Sequence, residues 1–365
     1  MLAQLRAWVE IETPSGEPAR VAALADDVVR AFEAEGCRAT RYADAVQLDA
    51  GPLPGARPPL LVLGHLDTVY PAGTLARTPF RPEAAGGEED GRAYGPGVFD
   101  MKAGLVQALF ALRALGPRGL PRTVRFLFVF DEEIGSPRSR PLTEALAREA
   151  EAALVLEPAA GEAGDLKVAR KGIARYRLAA HGVAAHAGLD FAQGASAILE
   201  LAGRLQELAA WTDLDRGLTL NPGLIVGGSA VNVVPAEAGA EIEARAWTAA
   251  ELAGIDQRLR ALRSASPRVR LELTGGLNRP PLEPTAASAA LRARAQAIAG
   301  DLGFELGATR VGGASDGNFT AACGLPTLDG LGAVGAGAHS PDEHILIRHL
   351  APRTALLARL LTSLG

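Results

Sequence analysis

The residues best able to do chemistry sit where apolar runs stop. The run at 60–64 leads into His65 and Asp67, the run at 124–130 into Asp131, Glu132 and Glu133, and the run at 152–156 into Glu157. Short, nearly continuous apolar runs read as strands buried on both faces. Open α/β sheets place their sites outside the carboxyl ends of such strands. Carboxylates converging on one edge repel one another unless cations sit among them. One acid after one strand is more simply the cap of the next helix; three endings together, one with a histidine, point to a metal site. His65 and Asp67 stand two apart, so on extended backbone they point the same way. A metal-bound imidazole commonly donates its other ring N–H to such a carboxylate. Asp100 lies in YGPGVFDMKAG (94–104), where glycines let backbone approach closely before a helix begins. Taken alone, Asp100 reads as the N-cap of that helix.

The elements that must hold these groups alternate along the chain. Val21, Leu24, Val28, Val29 and Phe32 recur at helical spacing over 19–35, and helices are expected again over 101–115 and 142–150. Strands interleaved with helices predict an α/β fold, a mostly parallel sheet covered on both faces. Near residue 173 the pattern changes to strand 173–180, helix 195–210, strands 217–226 and 237–247, helix 249–263 and strand 268–274. That β-α-β-β-α-β order is the ferredoxin-like α+β unit, one sheet face covered by helices and the other free. Residues 275–284 (GGLNRPPLEP) read as a linker with a glycine hinge, and 83–92 (EAAGGEEDGR) as an exposed loop. Helix and strand then resume to a final helix near 345–364. The expected organisation is a discontinuous catalytic domain, 1–172 with 284–365, interrupted by an inserted domain of 173–283.

Composition removes other classes. The 365 residues carry 37 basic and 42 acidic side chains, a net charge of -5, with no basic stripe for nucleic acid. No apolar run reaches the roughly 18–20 residues of a membrane span. The start, MLAQLRAWVEIETPSGEP, lacks a signal-peptide apolar stretch, so a cytoplasmic location is expected. Cys37 and Cys323 suit neither a disulfide scaffold nor, lacking a paired base, a thiol nucleophile. No serine elbow, phosphate loop or dinucleotide fingerprint is present.

GHLDTVYP (64–71), YGPGVFDMKAG (94–104), DEEIGS (131–136), LEP (156–158) and GAGAHS (335–340) stand in the order of the co-catalytic zinc aminoacylase/carboxypeptidase family. The chain resembles that family, which includes glutamate carboxypeptidase, acetylornithine deacetylase and succinyl-diaminopimelate desuccinylase, over nearly its whole length. The glutamate carboxypeptidase pattern is the nearest. The resemblance implies two zinc ions per subunit. It implies His65 and Glu157 as ligands of one, Glu133 and His339 of the other, and Asp100 as the bridge. It further implies Asp67 as the orienter of His65, Glu132 as general base, and a cis peptide after Asp100. Two such ions roughly 3.5–4 Å apart can share a hydroxide and lower its pKa toward ~7. Adjacent Glu132 and Glu133 can divide the labour, one on metal and one moving a proton. Oxygen and nitrogen donors without cysteine suit zinc, and cobalt or manganese also fit.

In the inserted domain GVAAHAG (182–188) is similar to the family segment whose histidine, His186 here, helps hold the oxyanion, often from the partner subunit of a homodimer. Without the family, a histidine in a Gly/Ala loop reads as structural or exposed. Asn232 in SAVNVVPAEA (229–238) resembles a substrate-contacting asparagine, with a turn residue before Pro235 as the plainer reading. Arg245 and Arg279 match arginines that grip substrate carboxylates, a task their planar fork suits; Arg279 also reads as an ordinary solvated residue. GGASDGNF (312–319) resembles a segment beside the site whose backbone N–H groups are able to meet a carboxylate. His181, His344 and His349 match no ligand position. The expected activity is hydrolysis of a peptide or N-acyl amide bond beside a free carboxylate, releasing C-terminal glutamate from a small peptide or N-acyl amino acid. A deacylase or dipeptidase is the near alternative, and a non-catalytic, metal-stabilised binding homologue the distant one. Neither nucleic acid nor membrane is an expected partner.

Overall fold

Apolar runs without alternation have to be covered on both sides, and the sheet they build is. The computed structural model describes residues 1–52, 55, 57–83, 91–116 and 119–364. Six strands lie in the order Arg38–Arg41, Ala45–Ala50, Val124–Val129, Leu60–His65, Ala152–Val155 and Thr327–Leu328. Leu60–His65 runs parallel to both neighbours, Thr327–Leu328 parallel to Ala152–Val155, and the first two strands are antiparallel. Every residue of Leu60–His65, Val124–Val129 and Ala152–Val155 is buried. His65 pairs with Val129, and Leu63 with Val155, so three chains leave the sheet at one rim.

The helices Pro18–Glu33, Ala103–Leu115 and Leu350–Ser363 share one core with Val62, Phe126, Phe128 and Leu154. Phe32 meets Phe126 and Phe128 edge-on, with centroids 5.3 and 5.5 Å away. Arg140–Glu149 covers the other face through Leu146 and Ala147, against Leu61, Leu63 and Val129. Gly104, at the start of its helix, approaches the third strand end so closely that a Cβ would lie 2.4 Å from the Leu156 carbonyl oxygen. A glycine there lets the turn carrying Asp100 come up to the strand end carrying Glu157.

The contacts divide the chain into two compact units, Met1–Ala169 with Glu283–Val311 and Ser315–Gly365, and Arg170–Leu282 with Gly312–Ala314. The second has the β-α-β-β-α-β order, its antiparallel sheet arranged Thr219–Gly227, Glu237–Ala246, Gly172–His181, Arg270–Arg279. Helices Ala197–Ala209 and Ala249–Arg260 lay Leu201, Leu208, Leu252 and Leu259 on Tyr176, Leu178 and Ile242. Ser196 caps the first helix, and a Thr248–Glu251 capping box starts the second.

The linker expected over 275–284 is corrected. The last strand runs on to Arg279, with Gly275 opposite Tyr176 and Gly276 opposite Arg175. Gly275 has φ 100°, and a Cβ on it would stand 2.2 Å from the Arg175 carbonyl oxygen. These glycines serve close strand pairing, not a hinge. Arg279 therefore closes a strand and is buried instead of lying in a solvated connector. Of the loop expected over 83–92, residues 84–90 lie outside the described residues; its flanks, Arg81–Glu83 and Arg92–Tyr94, pair antiparallel. Cys37 and Cys323 are free thiols. Among the described residues no helix is long and apolar enough to cross a membrane.

Candidate metal centre

The rim gathers two clusters around one carboxylate. His65 Nε2 lies 3.1 Å from Asp100 Oδ1 and 3.5 Å from Glu157 Oε1. His339 Nε2 lies 3.5 Å from Asp100 Oδ2 and 3.2 Å from Glu133 Oε2. Asp100 thus offers one oxygen to each cluster. Glu132 brings an oxygen within 4.8 Å of donor atoms of His65 and Glu157.

Each group arrives for a local reason. His65 ends its strand, and its Nδ1 meets the main-chain carbonyl of Asp67 at 2.9 Å. Since a carbonyl only accepts, Nδ1 carries a hydrogen, and Nε2 is the nitrogen that faces the cluster. The Asp67 carboxylate stands farther off, 3.6 Å from Nδ1. It also accepts from the backbone N–H groups of Glu132 (3.1 Å) and Glu133 (3.2 Å) and from Ser15 Oγ (2.7 Å), holding the turn Glu132–Ile134 in place. So Asp67 backs the imidazole chiefly through its carbonyl and holds the two glutamates through its side chain.

Asp100 does not cap a helix: Lys102 occupies the N-cap position of Ala103–Leu115 and makes no side-chain cap. It sits within the tight turn Val98–Lys102, and the Asp100–Met101 peptide is cis. His339 holds a left-handed backbone, φ 64°, a conformation that costs a non-glycine residue and clusters at functional sites. Asp131 turns away, accepting from the N–H groups of Arg138 and Ser139 and from the Ser139 hydroxyl.

The electrostatics are those of anionic groups short of a cation. Burial works against a charge on His65, but hydrogen bonds with Asp100, Asp67 and Glu157 outweigh it and raise the imidazole well above its ordinary range. Contacts with Asp100 and then Glu133 push His339 up to about 10. Burial opposes ionisation of Asp100, yet His339 and His65 hold it below the usual carboxylate range. Glu133 goes the other way, raised chiefly by burial although His339 opposes it. Glu133 Oε1 is buried with no hydrogen-bond partner among the described residues. An orphaned carboxylate oxygen, beside two histidines presenting Nε2 and two further carboxylates, fits divalent cations.

The second unit holds the other expected residues. The short strands Ala185–His186 and Val233–Val234 pair, with His186 opposite Val233, and the Asn232 carbonyl accepts from Ala187 N–H. His186 and Asn232 are therefore neighbours, both exposed. His186 Nδ1 accepts from the N–H groups of Gly188 and Leu189, each at 3.1 Å, so Nε2 carries the hydrogen. Arg245 pairs through Nε with Glu243 (2.7 Å) and donates from Nη1 to the Gly312 carbonyl (3.0 Å). In GGASDGNF two backbone N–H groups are used internally, Ser315 by Asn318 Oδ1 and Gly317 by Ser315 Oγ, so they do not face outward for a carboxylate.

Sequence reasoning missed Ser15, Tyr70, Ser136, Asp316 and Glu343. Ser136 Oγ meets Asp316 Oδ1 at 2.5 Å just beyond the glutamate turn, and Tyr70 meets Glu343. Tyr70, Ser136 and Asp316 lie inside the motifs at 64–71, 131–136 and 312–319, and Glu343 four residues past His339. Those positions were the available signal.

Residues 61–363 match the profile of Peptidase family M20/M25/M40, and the chain belongs to that family. It is a metallopeptidase or amidohydrolase, as the five ordered motifs imply. Carboxypeptidase G2 of Pseudomonas sp. (strain RS-16) is 29% identical over 374 aligned residues, 99% of this chain and 88% of that protein. Succinyl-diaminopimelate desuccinylase of Dechloromonas aromatica (strain RCB) is 32% identical over 330 residues, 85% of each. The crystal structure of aminopeptidase PepT from Bacillus cereus ATCC 10987 shares the fold, with TM-score 0.79 at 21% identity over 99% of this chain and 96% of that one.

Proposed function

We propose that the chain is a two-metal hydrolase cleaving a peptide or N-acyl amide bond beside a free carboxylate, with glutamate as the residue released. The observation that carries this is Asp100, one oxygen toward His65 and Glu157, the other toward His339 and Glu133. Those groups would hold one divalent cation each with Asp100 common to both, and zinc suits the donor set. When bound, the pair polarises the scissile carbonyl and lowers the pKa of a water toward ~7. Glu132, fixed at its backbone by Asp67, takes the proton from the attacking water and returns it to the leaving amine. His186, a donor at Nε2, supports the oxyanion, and Asn232 beside it contacts substrate. Arg245 and Arg279 grip the carboxylates.

A homodimer is part of this reading. Thr219–Gly227 is an edge strand of the second unit's sheet, with Leu224, Ile225 and Val226 more than half exposed. An exposed apolar edge is a template for pairing with another chain.

The desuccinylase relatives favour a second reading within the same chemistry, removal of an acyl group from an N-acyl amino acid. A panel of C-terminal glutamyl and alanyl peptides and N-acyl amino acids, assayed before and after chelation, separates the two. Two bound metals without turnover of any substrate would leave a binding homologue. Arg245→Ala and Arg279→Ala are each expected to raise KM about 10- to 100-fold for glutamyl substrates, the loss of one charge-assisted pair. Equal effects on glutamyl and alanyl substrates would remove the specificity claim.

Metal binding should also release protons. The metal-free His339, with a pKa near 10, and His65, raised well above 6.5, both carry a proton at pH 7. Ligation needs them neutral, so about two protons are expected to leave on binding. Affinity should therefore rise with pH throughout the range below about 10, where the metal-free His339 still holds its proton. Calorimetry at pH 7 in buffers of different ionisation enthalpy reads the number; a heat independent of buffer would contradict it.

A further inference from the structure

Glu343 takes part in none of the chemistry above, yet it is almost completely buried. Its Oε1 accepts from the backbone N–H groups of Phe99 (2.8 Å) and Asp100 (2.9 Å), and its Oε2 from Gly97 (3.1 Å). The Tyr70 hydroxyl meets Oε2 and also lies 2.9 Å from the Ser340 carbonyl. Three N–H groups of one turn thus converge on one carboxylate, which nearly fills its acceptor capacity.

The place of this carboxylate in the fold gives it consequence. The strand His344–Leu346 pairs on one side with Gly335–Ala336 and on the other with Arg92–Tyr94. His339 lies in the connection between the first two strands, and Asp100 follows the third. Glu343 ends that connection. Its main chain joins both sides, its N–H to Ser340 and its carbonyl to Gly95 N–H, and its side chain joins them again.

We propose that Glu343 is a positioning residue of the metal centre: its carboxylate fixes the turn that presents Asp100 and ties that turn to the loop carrying His339. The proposal rests on the two-metal reading. Asp100 has to aim two oxygens at two clusters, and a backbone held at residues 97, 99 and 100 leaves it little freedom to rotate. Outer groups that orient a ligand typically influence metal affinity or activity about 10- to 100-fold when removed. Tyr70 serves the same end from the segment that carries His65 and Asp67.

The test uses the full chain with Co²⁺ as probe, comparing wild type, Glu343→Ala, Glu343→Gln and Tyr70→Phe. Glu343→Ala is expected to weaken one of two Co²⁺ sites about 10- to 100-fold and to alter the visible ligand-field bands. Its kcat should fall with KM little changed. Glu343→Gln keeps an oxygen for Phe99 and Asp100 but sets an N–H₂ against Gly97, so it should fall between; Tyr70→Phe should be the mildest. If Glu343→Ala folds and binds both ions with wild-type affinity and spectrum, the positioning role is overturned while the metal centre stands. If it does not fold, wild-type binding by Glu343→Gln overturns the role equally. A wild-type protein that takes no Co²⁺ overturns the two-metal reading beneath it.

Discussion

Glu132→Ala is expected to lower kcat by about 10²- to 10⁴-fold, the usual range for a general base, with both metals retained. Glu132 and its neighbour differ in what they meet. Glu133 Oε2 lies 3.2 Å from His339 Nε2 and is proposed as a ligand, whereas Glu132 brings an oxygen within 4.8 Å of donor atoms of His65 and Glu157 and is proposed as the base. The two share a turn that Asp67 holds by both backbone N–H groups, so removing the Glu132 side chain leaves its support intact. Metal content by mass spectrometry beside single-turnover rates decides it. A variant that turns over normally would move the proton role elsewhere, and one that loses a metal would make Glu132 a ligand.

His186→Ala is expected to cost about 10²- to 10³-fold in kcat, the effect of one oxyanion donor. The two N–H groups on Nδ1 fix the tautomer, and Nε2–H is the donor that results. If His186 acts across a two-fold dimer, the Glu132→Ala and His186→Ala proteins should complement each other on mixing. A heterodimer contains one site with Glu132 from one chain and His186 from the other, so about a quarter of the wild-type activity should return. Full-strength homodimers that exchange subunits without regaining activity would put His186 within its own chain's site, or outside the chemistry.

Much of this arrangement was legible because burial leaves a mark on sequence. The runs ending at His65, Glu132 and Glu157 lacked alternation, and a sheet covered on both faces permits nothing else. The inserted unit declared itself by changing period at residue 173. What escaped was set by pairing rather than by local preference. Gly275 and Gly276 read as a hinge because glycine is permissive; the partner strand, with Arg175 close against Gly275, made them part of a ladder. Asp67 read as a carboxylate behind an imidazole because two residues apart suggests direct contact. Its side chain, 3.6 Å from that ring's Nδ1, also serves a turn 65 residues away, which no local rule reports. Glu343 hid for the same reason, binding N–H groups more than 240 residues distant.

One aspartate, Asp100, is proposed to join two cations at the rim of the sheet. Anomalous diffraction at the zinc edge from zinc-loaded crystals tests it directly. Two peaks are expected per chain, one against His65 and Glu157, one against Glu133 and His339, with Asp100 touching both. A single peak, or zinc bound away from Asp100, would contradict the account.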